Sequence, residues 1–348
     1  MIAKRIKQLK SQFNKFGIDG YVIPKNDEFF SEYAAKDRLK IISDFTGSAG
    51  FAIILKKKNY LFVDGRYTLQ AEIESGKQFE ITEYENIFNC KLFKKLTLGI
   101  DPKLFTSFQL DRYFKKYNNI KEIESNLVDQ IYNKYSFQSK PFYSLHKNIT
   151  GENHFTKINK ISRFLKKNKK NFLFVSAPEN AAWLLNIRGY DNPNSPIPNC
   201  RILISDKKKI FLISELIKFK ELIKEKKIKK NQVIEPQNFK TFISKFKKKK
   251  IIIDQKSCSL FFENLFKKNS LIFKDEDPIY FLKSIKNKKE ITNMINAHIL
   301  DGVALTKFLY WIKKINKNKI TEYYAQKKLE YFRKKNKNYL FPSFNTIA

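Results

Sequence analysis

Residues 47–67 read GSAGFAIILKKKNYLFVDGRY and contain two short apolar runs. The runs cover residues 51–55 and 60–63, and the polar segment Lys56-Lys57-Lys58-Asn59 separates them. Short apolar runs that are bounded by glycines and joined by a few polar residues are typical of a β-hairpin. Residues 47–50, which include two glycines, predict the turn that leads into the first strand of this hairpin.

The elements around the hairpin recur in the same order about 150 residues later, which is the sign of an internal repeat. Before the hairpin, apolar residues spaced by three and four over residues 2–16 predict a helix that ends at Gly17, and residues 21–23 predict a strand. The second copy has a helix at 158–165, a strand at 172–175 and a hairpin at 202–204 and 210–213. Two further landmarks match, residues 98–101 with 251–254 and residues 129–132 with 277–280.

This repeat predicts an α/β fold with two tandem domains, each a mixed β-sheet covered by helices. Hairpins require antiparallel strand pairs, while helices between strands supply parallel crossovers. We expect the first domain at residues 1–140, a linker at 141–151 and the second domain at 152–282. Helical spacing of apolar residues between Ile291 and Ile312 predicts a long amphipathic helix, which opens a third, incomplete unit at 283–348.

The composition fits a globular chain of more than one domain, because 42% of its 348 residues are hydrophobic. The formal net charge is +35, and most of the basic residues are lysines spread along the chain. Clustered Lys and Arg attract phosphate. Dispersed Lys with abundant Asn and Ile is typical of a genome rich in A and T, so we expect no nucleic-acid partner.

The same composition predicts a cytoplasmic protein without a membrane partner. No run of about 18 uncharged apolar residues occurs, and residues 1–9 lack the apolar core of a signal peptide. Cys90, Cys200 and Cys258 are scattered and form no Cys-x-x-Cys pair. Their spacing argues against a disulfide framework or a zinc knuckle and predicts buried, reduced thiols.

Asp64-Gly65-Arg66-Tyr67 directly follows the second strand of the first hairpin. Gly65 permits a tight turn at the strand end. Arg66 then presents a planar guanidinium that suits a carboxylate or a peptide carbonyl. From these four residues alone two interpretations stay open, a substrate contact and an ion pair at the surface.

The order of motifs along the chain resembles that of the Xaa-Pro aminopeptidase (aminopeptidase P) family, within the creatinase-like peptidases. The motifs of the first domain are Ser31-Glu32-Tyr33, residues 45–50, Asp64-Gly65-Arg66-Tyr67 and residues 69–72. The second domain has residues 177–189, followed by a loop at 191–198. The third unit has residues 288–290, 297–305, Thr321-Glu322 and 343–348. The resemblance covers essentially the whole chain.

This resemblance implies two creatinase-like N-terminal domains and the opening of a pita-bread peptidase domain. It also implies an enzyme that releases an N-terminal residue preceding proline, and hence peptide substrates with proline at the second position. In the intact family enzyme two divalent metal ions, usually manganese, are held by two Asp, one His and two Glu. By resemblance all five ligands lie beyond residues 343–348, so we expect this chain to bind no metal and to have no catalytic residue of its own.

Arg66 is the substrate-binding residue that the resemblance implies. Trp183 and Arg188 are interpreted as structural, the first as core packing and the second as a partner in a buried ion pair. Gly47, Gly50 and Gly65 are interpreted as requirements of turns. His298 lies beside Asp301 on a predicted helix, and a capping or core role is expected because the metal-binding His of the family comes later. His146 and His154 receive no role.

Because the resemblance stops before the ligands, a gene fragment, a frameshift or a split protein is expected, and the chain is expected to be inactive alone. The alternative function is a non-catalytic binding or oligomerisation module of the creatinase-like superfamily. Dimerisation through the N-terminal domains is frequent in the family, so a homodimer is a further expectation. The physiological peptide stays open.

Overall fold

The computed structural model describes residues 1–89, 93–132, 134, 139–316, 320–344 and 346. Cys90 and the end of the 343–348 motif, Asn345, Ile347 and Ala348, lie outside the described residues.

The first of two six-stranded sheets is built around the predicted hairpin. Its strands are β1 (Gly20–Pro24), β2 (Gly50–Leu55), β3 (Asn59–Val63), β4 (Glu80–Glu83), β5 (Thr97–Ile100) and β6 (Asn119–Glu122). They lie in the order β4-β3-β2-β1-β5-β6. The pairs β1–β2 and β2–β3 are antiparallel, whereas β3–β4, β1–β5 and β5–β6 are parallel. The sheet is therefore mixed, as predicted.

The second sheet repeats this topology strand for strand. In chain order the remaining strands are β7 (Tyr143–Ser144), β8 (Phe172–Val175), β9 (Ile187–Arg188), β10 (Arg201–Ser205), β11 (Ile210–Ile213), β12 (Val233–Ile234), β13 (Lys250–Ile253) and β14 (Leu271–Lys274). The order β12-β11-β10-β8-β13-β14 matches the first sheet in both position and direction of pairing. The predicted internal repeat and the α/β fold class are confirmed.

The helices lie between the strands and beyond the second sheet. They are α1 (Ile2–Lys10), α2 (Phe13–Phe16), α3 (Arg38–Ser43), α4 (Thr68–Ser75), α5 (Ser107–Tyr113), α6 (Leu127–Ile131), α7 (Lys147–Thr150), α8 (His154–Lys167), α9 (Pro178–Leu185), α10 (Lys220–Lys224), α11 (Phe239–Ile243), α12 (Leu260–Asn269), α13 (Pro278–Ser284), α14 (Lys288–Lys314) and α15 (Glu322–Lys334). The single helix predicted for residues 2–16 is divided in two at Ser11. It ends at Gly17, which adopts the left-handed conformation with φ 54°.

The central strands of each sheet are buried on both faces, which explains why these strands read as continuous apolar runs. In β1, Tyr21 and Ile23 pack with α1, α3 and α6, while Val22 packs on the opposite face with α5. In the second domain Leu173 and Phe174 likewise enter two different apolar clusters. The interior strands are thus shielded from water by helices on both sides.

One matched pair of the repeat is shifted by three residues from the predicted alignment. The structural counterpart of Asp277 is Asn126, because these two residues occupy the N-cap positions of α13 and α6. Each also contacts the aspartate that follows the fifth strand of its sheet. The Asn126 side-chain amide donates to Asp101 at 2.9 Å, and the Asp277 backbone N–H donates to Asp254 at 3.3 Å. The predicted match of Asp129 with Asp277 is therefore wrong in register.

The segment predicted as a linker, residues 141–151, packs onto the second domain. Phe142 is fully buried in the core of that domain. Strand β7 pairs with β9, and His146 occupies the N-cap position of α7, where its ring accepts the Asn148 N–H. These contacts order the segment although its sequence shows no periodicity.

The two domains meet through polar contacts that join them at several points. Thr106 and Ser259, which precede α5 and α12, form an isolated antiparallel bridge. Lys274 donates to the Ser107 hydroxyl at 3.0 Å and pairs with the buried Glu263. Arg201 of β10 donates to the backbone carbonyl of Glu28 in the first domain. Among the described residues these contacts hold the domains in one arrangement.

The third unit is a helical hairpin that exposes much of its apolar surface. Arg333 of α15 pairs with Asp301 of α14 at 2.7 Å, and Trp311 packs against Tyr324. Asn287 caps α14 and donates to the Thr150 carbonyl at 2.9 Å. Exposed apolar side chains on α14 include Ile291, Met294, Ile295, Ile299, Val303 and Leu309, whereas Ala304 is buried.

This exposure predicts the order in which a protease cuts the chain. Segments with few buried apolar contacts open at the lowest free energy. We expect limited proteolysis to cleave after residue 288 first and to leave a resistant product that contains both sheets. Mass spectrometry of the products over time checks this. A third unit as resistant as the two sheets would contradict the prediction.

Candidate functional site

The turn that carries Arg66 begins where β3 ends. Gly65–Tyr67 form one 3-10 turn, and the Asp64 carboxylate accepts the Arg66 N–H at its start, at 3.0 Å. The same carboxylate binds the Arg66 guanidinium, with Nε to Oδ1 at 2.8 Å and Nη2 to Oδ2 at 3.3 Å. The Arg66 side chain remains 71% exposed. The turn therefore holds one edge of the guanidinium and leaves the rest open to solvent.

Asp64 and Arg66 stabilise each other's charge. The hydrogen bond from Arg66 lowers the pKa of the Asp64 carboxyl, and the hydrogen bond to Asp64 raises the pKa of Arg66. The nearby charge of Glu32 further favours the Arg66 cation. Both groups are thus ionised at neutral pH, as an anion-binding arginine requires.

The hairpin brings a second motif, residues 45–50, beside this turn. The start of β2 lies opposite the end of β3, since Gly50 pairs with Val63. The Ser48 hydroxyl lies 3.0 Å from the Tyr67 hydroxyl, and Tyr67 makes an edge contact with the buried ring of Phe45. Two motifs that are separate in the sequence therefore form one surface.

Two of the three glycines in these motifs, Gly47 and Gly50, are required for close packing and not for the predicted turn geometry. Gly47, Gly50 and Gly65 do not have positive φ. A Cβ at Gly47 would lie 2.2 Å from the ring of Phe45, and one at Gly50 would lie 3.0 Å from the Phe62 carbonyl. Close packing, and not turn geometry, excludes side chains at Gly47 and Gly50. At Gly65 the nearest atom to a Cβ, from Glu83, is 3.5 Å away, so no such restriction exists.

The third motif, Ser31-Glu32-Tyr33, belongs to the segment 27–33, which separates two cavities. Residues 30–32 line a cavity of about 340 Å³ together with residues 48–50. Residues 29–33 also line a cavity of about 250 Å³ that is shared with Glu179, Asn192 and Ser343. The segment is thus the wall between the first hairpin and the loops of the second domain. We call these two cavities and their wall the interdomain groove.

Hydrogen bonds within the segment 27–33 hold its backbone in place. Asp27 is buried, and its carboxylate accepts the N–H groups of Phe29 at 2.9 Å and Ser31 at 3.1 Å. Phe30 lies in the left-handed region with φ 58°. Non-glycine residues adopt this conformation rarely, and a residue held there persists only when its surroundings enforce it.

Two buried arginines, which sequence reasoning did not identify, fix the segment from outside. Arg38 donates to both carboxylate oxygens of Asp129 at 2.8 and 2.7 Å and to Glu28 at 2.7 Å. Arg201 reaches the Glu28 carbonyl from the second domain. Arg38 is 10 residues from Glu28 but 91 residues from Asp129, and Arg201 is 173 residues from Glu28. No local sequence pattern marks such contacts.

The second-domain motif, residues 177–189, forms α9 and β9. Trp183 packs against the second core, in agreement with the predicted structural role, and the Lys157 ammonium lies 4.0 Å from its ring centre. Arg188 donates to the Ile187 carbonyl at 2.8 Å. The buried ion pair expected for Arg188 is not found among the described residues. The following loop is anchored at Asp191, which accepts Lys218 at 2.9 Å.

The described part of the chain contains neither a histidine site nor a metal centre. His298 is exposed in the middle of α14, so the expected capping or core role is wrong. Within the described ranges no three His, Cys, Asp or Glu side chains are grouped as metal ligands. The described residues therefore do not fit a di-metal centre. Cys200 and Cys258 are buried free thiols, as predicted, and burial raises the pKa of Cys200 to about 12.

A helix that spans a bilayer needs about 20 consecutive, predominantly apolar residues. None of the described helices is both long and apolar enough to span a membrane.

Two models of the creatinase/prolidase N-terminal domain match consecutive parts of the chain, residues 5–130 and 133–290. Xaa-Pro aminopeptidase 1 from Dictyostelium discoideum is 30% identical over 100% of this chain and 60% of its own length. Xaa-Pro aminopeptidase 2 from Rattus norvegicus is 26% identical over 99% of this chain and 55% of its own length. The chain thus spans about 60% of the length of these relatives.

The fold is also shared with a solved structure. The X-prolyl aminopeptidase from Caenorhabditis elegans, described as a cytosolic enzyme with a di-nuclear active site, superposes with a TM-score of 0.88. The match covers 100% of this chain and 62% of that one at 22% identity. The chain therefore carries two tandem domains of the creatinase/prolidase N-terminal family, and it is a relative of the Xaa-Pro aminopeptidases.

Proposed function

We propose that this chain is the substrate-facing portion of an Xaa-Pro aminopeptidase-type metallopeptidase, which releases an N-terminal residue that precedes proline. The observation that carries the proposal is the single surface formed by Arg66, residues 45–50 and residues 31–33. Similarity to Xaa-Pro aminopeptidases over the whole chain supports the reaction class. We propose the same division as the sequence predicts, with domains at 1–140 and 152–282 and a third unit at 283–348.

Arg66 is the proposed substrate contact. Its guanidinium has one edge occupied by Asp64, which orients it, and its exposed edge can donate two parallel hydrogen bonds. A peptide carbonyl or terminal carboxylate is the acceptor that matches this geometry. In this arrangement Arg66 binds and orients the peptide and takes no part in bond cleavage.

The bond-breaking chemistry of the proposed enzyme resides outside this chain. In this proposal two divalent ions, manganese by family resemblance, would supply the hydrolytic chemistry. The di-nuclear active site of the C. elegans enzyme supports the number of metal ions, two. Because the described residues of this chain offer no ligand set, we propose that the chain alone binds no such metal and cleaves no peptide.

The test compares this chain with a form that also contains the downstream part of the gene. Both are incubated with peptides that carry proline, or alanine, at the second position, with and without Mn²⁺. We expect cleavage by the longer form only, stimulated by Mn²⁺ and dependent on proline. A longer form that cleaves neither peptide would overturn the proposal and favour a binding or oligomerisation module. Light scattering of the same samples checks the predicted homodimer.

Replacement of Arg66 tests the substrate contact. In the longer, active form we expect Arg66→Ala to lower kcat/KM for Xaa-Pro peptides by about tenfold or more, because a charge-assisted contact is lost. Arg66→Lys keeps the charge but loses the planar fork, so we expect partial recovery only.

The matched control is Lys58→Ala, which removes another exposed strand-end cation, one paired with Glu80. We expect Lys58→Ala to leave kcat/KM unchanged. Thermal unfolding of both variants should resemble that of the parent. If Arg66→Ala unfolds more readily while its activity per folded molecule is intact, Arg66 is a structural ion-pair residue.

A further inference from the structure

Arg201 is a buried cation in the contact between the two domains. It is the first residue of β10 and is only 7% exposed. Its guanidinium lies between two aromatic rings, 4.0 Å from the centre of Phe29 and 4.6 Å from that of Phe262. No carboxylate of the described chain is within ion-pair distance of it. Burial lowers its pKa to about 10, so it is still charged at neutral pH.

The contacts that compensate this buried charge lie largely in the segment 27–33. Arg201 donates to the Glu28 carbonyl and stacks on Phe29, and the charge of Glu28 also favours the cation. A buried charge without a carboxylate partner is costly unless hydrogen bonds and ring faces replace its hydration. Loss of these contacts would leave the Arg201 charge buried without compensation. The same contacts join the second domain to the residues just before Phe30.

The contacts of Arg201 lie next to the part of the segment that borders the groove. Phe30 is held in the left-handed conformation, and residues 31–33 form the wall of the interdomain groove. Arg66 lines neither cavity, but Glu32 in this wall is close enough for its charge to favour the Arg66 cation. Movement of Glu28 and Phe29 would release Phe30 from its unfavourable backbone conformation and shift that wall. Arg38 anchors the Glu28 side chain from within the first domain, but Arg201 anchors its backbone from the second.

We propose that Arg201 is a positioning residue, which couples the second domain to the segment 27–33 and so sets the wall of the groove beside Arg66. This inference goes beyond Arg66 itself, and its link to peptide binding rests on the proposed function. The coupling itself does not depend on activity.

Hydrogen exchange of the 348-residue chain tests the coupling. Arg201→Met keeps length and apolar packing between the rings but removes the charge and the donor. The matched control is Lys274→Met, which removes another cation that bridges the two domains but does not touch the segment 27–33. Exchange is followed by mass spectrometry of peptides that cover residues 26–36, β1 and β10.

We expect Arg201→Met to accelerate exchange in residues 26–36 by roughly tenfold or more while β1 is unchanged, because the segment opens locally. Lys274→Met should leave residues 26–36 as protected as in the parent. Equal acceleration in both variants, or an increase spread over both sheets, would overturn the proposal. If Arg201→Met does not fold, Arg201→Lys is measured by the same criteria.

Kinetics in the longer form separate this inference from the proposed function. We expect Arg201→Lys to raise KM for Xaa-Pro peptides more than it lowers kcat, whereas Lys274→Met changes neither. A longer form that is inactive contradicts the proposed function, and the exchange measurement still decides on Arg201. If exchange in the Arg201 variant is faster only in residues 26–36 and KM does not change, the segment does not contact substrate.

Discussion

Arg38→Ala is expected to lower the free energy of unfolding by about 2–4 kcal/mol, since removing one member of a buried ion pair leaves its partners uncompensated. Arg38 is only 1% exposed and binds Asp129 through two hydrogen bonds and Glu28 through one. The two carboxylates are 28–29% exposed. They recover part of their hydration when Arg38 is lost, so we expect the lower part of the range usual for buried pairs.

The loss of unfolding free energy caused by Arg38→Ala should depend on pH. Burial raises the pKa of Glu28. The positive charge of Arg38 and its hydrogen bond to Glu28 lower this pKa by more, so the net shift is downward. A carboxylate with a lowered folded-state pKa stabilises the fold above its unfolded pKa, and this contribution is lost as pH falls through the folded value. The difference between parent and variant should therefore shrink towards pH 3.

Chemical denaturation at several pH values measures this prediction. The control is Lys56→Met, which breaks the exposed pair between Lys56 and Asp19, 55% and 40% exposed. That change should cost less than about 1 kcal/mol. Equal effects of the two substitutions would show that the Arg38 network adds nothing beyond a surface pair.

Asp277→Asn is expected to stabilise the chain at pH 7.5 by about 1–3 kcal/mol and to have little effect near pH 4. Burial, and secondarily the charge of Asp254, raises the pKa of Asp277 to about 6, against hydrogen bonds from Ile279 and Asn180. Lys283 lowers the pKa slightly. Because the folded-state pKa lies above the unfolded one, the folded state binds more protons, and stability falls as pH rises from about 4 to 6.

The repeat shows that Asn fits this position. In the first domain Asn126 caps α6 and its side-chain amide donates to Asp101. At position 277 the Asn amide oxygen can keep the cap to the Ile279 N–H. Its NH2 replaces the oxygen that accepts the Asn180 NH2, so the Asn180 amide has to flip and present its unpartnered oxygen. The substitution therefore removes a buried charge, and the unpaired atom of Asn180 changes from its oxygen to its NH2.

The reciprocal change is the control. Asn126→Asp places a second carboxylate beside Asp101, whose pKa burial already raises. We expect a loss of about 2–4 kcal/mol at pH 7.5, by the same desolvation and repulsion. Urea denaturation of parent and both variants between pH 4 and 8 measures the two effects. A stability difference between Asp277→Asn and its parent that does not change with pH would contradict the assignment.

Much of the fold follows from short-range patterns in the sequence. The hairpins at residues 51–63 and 202–213 were predicted because apolar runs bounded by turn residues are local features. The ion pair between Asp64 and Arg66 could also be anticipated, since these residues are two positions apart. The division of the first helix at Ser11 was not anticipated, because the apolar spacing continues through it.

The features that sequence reasoning missed depend on contacts between distant residues. Arg38 and Arg201 give no local signal, because burial and partners come only from the folded chain. Residues 141–151 look like a linker because their apolar residues follow no helix or strand period, yet the ring of Phe142 fills the second core. The ion pair expected for Arg188 is not found among the described residues, and the capping or core role expected for His298 is wrong, because neither residue's surroundings can be read from its neighbours in sequence.

The bridge between Thr106 and Ser259 joins positions that are equivalent in the two repeats, the residues that start the helix after the fifth strand of each sheet. A surface that meets its own counterpart is what a two-fold symmetric dimer uses. At this bridge the two repeats therefore contact each other through equivalent positions within one polypeptide. Because each of these two positions contacts the other, a substitution at one changes the surroundings of the other. Substitutions at the two positions are therefore expected to accumulate in pairs during evolution.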